Sequence, residues 1–330
     1  MNKQLLALAI GSLVALPSVA LADKGPTVYG KVNVSYENAD NGTDDAWELN
    51  SNASRLGVKG ALDLDVNNLE AIYKAEFEIS VDDGDKKGQT FAQRNIYGGF
   101  AHASAGTLIA GKFDTPLKAS QGKIDQFGDL GGDLKHVMGG DERVSDIVQY
   151  STPTFADALQ LNFAFVPGED AGGEDDGPAD AFSGSLVYET DMIYAAIAYD
   201  SEMETEIFDL GDDAKADTLR LGAKAKLDIF EIGAMYQMSE TSDEVEGVSY
   251  EDNAFLLSAA VKLDRWKLKA QYGLNDLDQS DDEVTLMAVG ADYKLAKNSK
   301  VFGYFSQVEE DKGDLEDSTF GIGFEHKFSM

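Results

Sequence analysis

A transmembrane antiparallel β-barrel of sixteen strands, with a long third loop folded inward, is the fold class that this all-β sequence predicts. Three observations carry the prediction. Hydrophobicity alternates with a period of two along most of the chain, the mark of strands with one apolar face. The connections between those strands are alternately long and acidic, then short. Beyond residue 22 no run of about 18 apolar residues occurs, as a transmembrane helix would need, whereas membrane strands need only about 9 to 11 alternating residues.

Residues 1–22 read as a secretory leader. Lys3 gives a positive start, residues 5–16 an apolar run, and Ala20-Leu21-Ala22 the small-residue cleavage pattern. The mature chain is therefore expected to begin at Asp23, with residues 23–330 forming one barrel domain. Loss of Lys3 takes the formal net charge from −33 to −34.

The first strand spans 28–36, with Val28, Val32, Val34 and Tyr36 on one face and Lys31, Asn33 and Ser35 on the other. A long acidic connection at 38–52 leads to Arg55-Leu56-Gly57-Val58-Lys59, where Arg55 and Lys59 share a face. After a turn at 65–68, residues 69–79 set Leu69, Ala71, Tyr73, Ala75, Phe77 and Ile79 against Glu70, Lys74, Glu76 and Glu78. The loop 82–89, the turn 103–105 and the longest connection, 113–142, separate the next strands, with Arg94 and Arg143 near two of their starts. Turns at 152–157 and 190–192 then alternate with loops at 167–181 and 201–216. Arg220, Lys224 and Lys226 oppose five apolar residues in 219–227. The same pattern returns at 266–272 and 287–295, between turns at 228–229, 264–265 and 296–299 and loops at 240–250, 275–283 and 309–317. Eight long and seven short connections join sixteen strands, about 19 residues for each strand with its connection, which suits membrane strands of roughly 10 residues.

A soluble sandwich would have to bury the charges of 69–79 in its core or wet that face, and its loops have no reason to alternate in length. A closed barrel with lipid outside and water inside accounts for both features and leaves no open edge. Composition narrows the function. With 27 Lys+Arg against 60 Asp+Glu, nucleic acid is excluded as a partner, because phosphate recognition needs clustered cations. Hydrophobic residues at 43% and aromatics at 10% argue against disorder. The absence of cysteine removes thiol catalysis, thiolate metal sites and disulfides.

No catalytic, metal or cofactor motif survives inspection. The segment 106–113 approaches a P-loop, but Phe113 stands where Ser or Thr is required. Asp276, Asp278 and Ser280 have calcium-loop spacing, yet Asp281 replaces the required glycine and Met287 the bidentate Glu. His102, His136 and His326 are far apart, and a barrel hydrolase built from one of them and a serine remains an alternative.

The segment 113–142 is unlike the other loops. It spaces Asp125, Asp129 and Asp133 among apolar Ile124, Phe127, Leu130, Leu134, Val137 and Met138, which need something to pack against. Folding into the lumen would satisfy them and leave the acids facing a narrowed channel. Lys31, Arg55 and Lys59 point inward by register, and Arg94 and Arg143 flank the strands of the long loop. Charged groups around a constriction set ion preference.

These residues resemble the general diffusion porins of Gram-negative outer membranes. The resemblance is carried by Val28-Tyr29-Gly30-Lys31, by Ser54-Arg55-Leu56-Gly57-Val58-Lys59-Gly60, and by Arg94-Asn95-Ile96-Tyr97-Gly98-Gly99-Phe100 with Gly106-Thr107 and Gly111-Lys112. Arg143 followed by Ile147, Tyr150, Ser151, Pro153 and Phe155 extends it. The resemblance implies a homotrimer in the outer membrane whose third loop forms the constriction, with Lys31, Arg55, Arg94 and Arg143 as a basic wall and Asp125, Asp129 and Asp133 on the acidic loop. It departs at the end of the chain, where Ser329 and Met330 follow Phe328.

The expected function is passive diffusion of ions and small hydrophilic solutes, with mild cation preference, no cofactor and no covalent step. An outer-membrane barrel whose acidic loops bind a surface partner, or lipopolysaccharide through divalent cations, is the alternative.

Overall fold

The computed structural model describes residues 25–83, 89–169, 176–208, 210–312 and 316–330. The leader and its cleavage positions Ala20, Ala22 and Asp23 lie outside the described residues. Among the described residues there are seventeen strands: β1 (Thr27–Asp40), β2 (Asp45–Ser51), β3 (Arg55–Asp63), β4 (Leu69–Glu78), β5 (Ala92–His102), β6 (Gly106–Asp114), β7 (Arg143–Ser151), β8 (Leu159–Val166) and β9 (Ala181–Glu189) in the first half. The second half holds β10 (Ile193–Ile207), β11 (Asp212–Leu227), β12 (Phe230–Thr241), β13 (Glu251–Leu263), β14 (Trp266–Leu277), β15 (Asp282–Ala296), β16 (Ser299–Glu310) and β17 (Glu316–Ser329). A short helix α1 (Pro116–Ala119) and a 3-10 turn (Leu134–His136) interrupt the connection between β6 and β7.

From β3 onward each strand pairs antiparallel with the next, and β17 returns to β1 with Val32 opposite His326. β2 and β3 are two parts of one stave: both pair with β1, at Asp40↔Asp45 and Lys31↔Arg55 respectively. The sheet is therefore a closed barrel of sixteen staves. Between the two parts the ladder is replaced by local bonds. Asn52 N–H donates to Asn33 O at 2.9 Å, and Asn33 N–H to Ser54 Oγ at 2.9 Å.

The two-residue period becomes the division between lipid and lumen. In β12, Phe230, Ile232, Tyr236 and Met238 are exposed, while Glu231, Met235, Gln237 and Ser239 between them are buried. Large apolar side chains continue around the outer face, with aromatic pairs such as Trp266–Tyr293 at 4.8 Å and Tyr36–Trp47 at 4.9 Å. An outward apolar band bounded by aromatics is what a transmembrane barrel requires. Polar groups that would be expensive in lipid point instead to the interior.

Several expected long loops are shorter than their composition predicts. The connection at 201–216 shrinks to 208–211, because β10 and β11 remain paired to Ile207↔Asp212. Likewise the pairing reaches Asp40↔Asp45 and Leu277↔Asp282, where loops were expected at 38–52 and 275–283. Acidic and hydroxyl side chains predict irregular structure, but once a hairpin has left the membrane both its faces can be solvated while its backbone stays paired. The 15 residues of β10 reach about 50 Å, roughly twice the height of an apolar band.

Candidate functional site

Residues 115–142 connect β6 to β7 and turn to the polar face of strands far away in sequence. Thr115 opens the segment by capping α1, its Oγ1 accepting from Lys118 N–H at 3.1 Å, and Pro116 occupies the first helical turn, where its missing donor costs nothing. Leu117 N–H donates to Ser183 Oγ of β9 at 3.2 Å, and Tyr194 of β10 donates to Ser120 O at 2.8 Å. Further along, Ser258 donates to Ile124 O at 2.6 Å, Gln126 N–H to Gln271 Oε1 at 2.9 Å, and Gln271 Nε2 to Gly132 O at 3.0 Å. Lys269 donates to Gln126 O at 2.9 Å and stands 4.3 Å over the Phe127 ring.

The apolar side chains of the segment find the partners they need. Ile124, Leu134, Val137 and Met138 pack with Tyr194, Met235, Leu256 and Leu286, and Phe127 and Leu130 with Phe302 and Tyr304. Complete burial of such a residue contributes about 1.5 to 3 kcal/mol, so the segment is held by packing as well as by hydrogen bonds.

Arg220 of β11, fully buried, ties the two ends of the segment together. It donates to Gln237 Oε1 at 2.7 Å, Asp141 Oδ1 at 2.9 Å, Gly139 O at 2.8 Å and Leu117 O at 3.4 Å. The returning backbone approaches too closely for side chains: a Cβ on Gly139 would lie 2.4 Å from Glu206 O, and Gly140 adopts φ +78°, where glycine is favoured.

Against this segment stands a charged constellation on β1 and β3–β7. Lys31 and Arg55 are register partners, and both reach Asp129 Oδ2, at 2.8 and 3.0 Å. Arg94 meets Glu76 at 3.2 Å and Glu78 at 2.9 Å. Arg143 meets Asp114 at 2.8 Å and donates to Asn95 Oδ1 at 2.8 Å, and Asn95 in turn donates to Asp114 at 2.9 Å. Lys59 stands apart, exposed 5.3 Å over the Tyr29 ring.

Of the three loop acids, Asp129 alone pairs with the basic wall among the described residues. Asp125 accepts from Phe127 N–H at 2.7 Å and Leu134 N–H at 3.4 Å, and Asp133 from Asp129 N–H at 2.7 Å and Lys135 N–H at 3.0 Å, so these two carboxylates shape the loop itself. Their electrostatics differ accordingly. Burial pushes the Asp129 carboxyl up, but Lys31 and Arg55 outweigh it and hold the group below its usual range. Burial, reinforced by Asp133, raises Asp125 to about 7, and burial raises Asp133 as well.

The constellation includes residues that were not singled out from the sequence. Glu76 is its hub, touching Arg94, Lys74 at 3.4 Å and Arg55 at 3.8 Å, and accepting from Tyr29 OH at 2.7 Å. Its place on the charged face of 69–79 was the available signal. Asp114, Asn95 and Lys118 also belong, the last bonding the Asp141 carbonyl.

Two of the three histidines serve local structure. His102 holds the 103–105 turn, with Nε2 at 2.7 Å from Asn67 O and Nδ1 at 3.2 Å from Ser104 Oγ. His326 lies 2.7 Å from Ser299 Oγ across the β16–β17 pair. No carboxylate orients either ring in these contacts, as an activated serine would require.

Comparison with known proteins agrees with the barrel fold. The Gram-negative porin family matches residues 7–328. The chain is 26% identical to the major outer membrane protein P.IB of Neisseria sicca, over 99% of this chain and all of that protein. It is 22% identical to outer membrane porin protein 32 of Delftia acidovorans, over 98% of this chain and 92% of that one. Among solved structures, an anion-selective porin from Comamonas acidovorans superposes with a TM-score of 0.78 at 20% identity, covering 92% of this chain and 99% of that one. The trimer form of OmpT of Vibrio cholerae gives 0.68 at 18% identity, with the same coverage. A barrel with an apolar exterior, a charged interior and this family match over nearly its whole length is not an enzyme: the chain belongs to the Gram-negative porin family and is a channel of the outer membrane.

Proposed function

We propose that the barrel passes ions and small hydrophilic solutes passively through a constriction between the 115–142 segment and the wall formed by Lys31, Arg55, Arg94 and Arg143, with a weak preference for cations. The observation that carries this reading is the pairing within the constellation: Asp129 faces Lys31 and Arg55, Glu76 faces Arg55, Lys74 and Arg94, and Asp114 faces Arg143. A wall so closely matched by carboxylates exerts little net field of its own. The sign of the preference then follows from the acidic hairpin arms above it, in a chain of net charge −34 once the leader is removed at Asp23. Those arms act across water, where a Debye length of about 10 Å at 0.1 M salt attenuates them, which keeps the preference weak. Asp125 and Asp133 contribute by fixing the loop, and Lys59 lies to one side of the narrow part. The Comamonas acidovorans barrel is described as anion-selective, and at 20% identity it shares the fold alone. The trimeric form of the Vibrio cholerae barrel supports a homotrimer here, set among outer-membrane lipids and lipopolysaccharide, with divalent cations bridging to the acidic arms.

The test is single-channel conductance of the refolded protein in a planar bilayer under a salt gradient. Conductance steps that close in threes, with a reversal potential of cationic sign that fades in high salt, are expected. A folded but silent barrel, or a reversal potential of anionic sign, would sink the proposal.

A further inference from the structure

At the end of the barrel where the long connections lie, the wall beside the returning part of the 115–142 segment opens into a cavity of about 460 Å³. Its size falls within the range of small-molecule sites. The apolar floor is built by register. Leu277 and Val284 come from the facing ends of β14 and β15, and Val308 of β16 lies opposite Leu286 of β15. Phe208 closes one side, its amide held by the Asp252 carboxylate at 2.7 Å. Leu277, Val284 and Val308 are buried in the cluster that also holds Leu134, Val137 and Met138, and Phe208 is half-buried against it, so the docked segment fixes the floor and leaves only its edge open to the cavity.

The polar rim has one sign. Glu310 lies opposite Val284 and Asp317 opposite Val308, and Glu206 completes three carboxylates against the single ammonium of Lys135. No ion pair among the described residues takes up any of the three carboxylates. His136 also lines the cavity and does not offset them, because burial, with Lys135 beside it, holds its imidazole down to about 4. Burial raises the Glu206 carboxyl, and Glu310 and Asp317 still outnumber Lys135, so the rim is net negative at neutral pH. None of the residues paired in the constriction lines this cavity.

We propose that the cavity binds amphipathic organic cations, whose apolar body lies on Leu277, Val284, Val308 and Phe208 while an ammonium group sits between Glu310 and Asp317. Apolar area supplies the affinity and the rim supplies the sign: the same body carrying an anionic group meets repulsion at the point where its head must sit. An ammonium without the apolar body gains only a screened surface contact.

Equilibrium dialysis of the folded protein in detergent tests this without reference to conduction, so its failure is distinct from failure of the channel reading. The paired ligands are 1-naphthylmethylammonium and 1-naphthalenesulfonate, at low salt. Saturable binding of the cation at one site per chain, at least about tenfold tighter than the anion, is expected. The double variant E310Q/D317N should lose about tenfold in cation affinity, and Val284→Trp, which fills the floor, should abolish saturable binding. Equal affinity for the two ligands overturns the proposal, as does unchanged binding in a double variant that still inserts and conducts. If that variant does not refold, retained binding in Val284→Trp overturns it instead.

Discussion

Replacing Asp129 by Asn removes the loop carboxylate that meets the basic wall. At neutral pH this group is ionised, held so by Lys31 at 2.8 Å and Arg55 at 3.0 Å. The substitution therefore adds one unit of positive charge to the proposed constriction. An ion passing about 8 Å away through water gains or loses roughly 0.5 kcal/mol from one such charge. Cations and anions shift in opposite directions, so their permeability ratio changes by about 1 kcal/mol, or about fivefold toward anions. Reversal potentials in planar bilayers read this directly. The shift should be clear near 0.1 M salt, where the Debye length is about 10 Å, and collapse near 1 M, where it is about 3 Å. Asp125→Asn should move the ratio less, because a carboxyl raised to about 7 is only half ionised at neutral pH and its oxygens serve the Phe127 and Leu134 amides. An unchanged ratio in Asp129→Asn at low salt, or an equal shift in Asp125→Asn, would refute local control by the constellation.

Three further outcomes are expected. The Asp125 carboxyl is raised from 3.8 to about 7 in the folded loop, so its contribution is fully present below pH 3.8 and is lost as pH rises through about 7; open-channel noise from a loosened segment should grow over that window, and Asp125→Asn should flatten the dependence. Arg220→Ala leaves Asp141 and the Gly139 carbonyl without their shared partner and should weaken docking of the segment by about 3 kcal/mol, seen as flickering conductance from a barrel of ordinary heat resistance. Phe127→Ala removes a fully buried ring from among Ala288, Phe302 and Tyr304, and a docking loss of about 3 to 5 kcal/mol should appear as a larger, noisier conductance; unaltered open-channel noise would contradict the packing argument.

The staves and their facing were legible because one rule, apolar outward and polar inward, applies along every membrane strand. Lys31, Arg55 and the charges of 69–79 fell on the inner face for that reason. Strand ends were less legible, since acidic residues at 201–216 and 275–283 look the same to a sequence reader whether the solvated backbone is paired or not. The site was legible only in part. Which of Asp125, Asp129 and Asp133 meets the wall depends on turns inside the loop, where Asp133 accepts from the Asp129 amide and so helps to aim its neighbour. Arg220 was visible only as one of three charges on the polar face of 219–227: its partners Leu117, Gly139 and Asp141 are about 80 to 100 positions away, and only closure of the barrel brings them together.

The paired arms that rise above the apolar band also change how the channel meets its medium. A flexible acidic loop spreads its charge through a fluctuating volume, whereas a hydrogen-bonded hairpin such as β10–β11 holds its carboxylates at fixed height around the mouth. A fixed palisade of this kind gathers counterions from dilute solution and keeps a store of them at the entrance. With the cation preference proposed above, the supply of cations to the pore falls more slowly than the bulk salt as the surroundings are diluted, so conductance at low ionic strength should level off instead of vanishing in proportion.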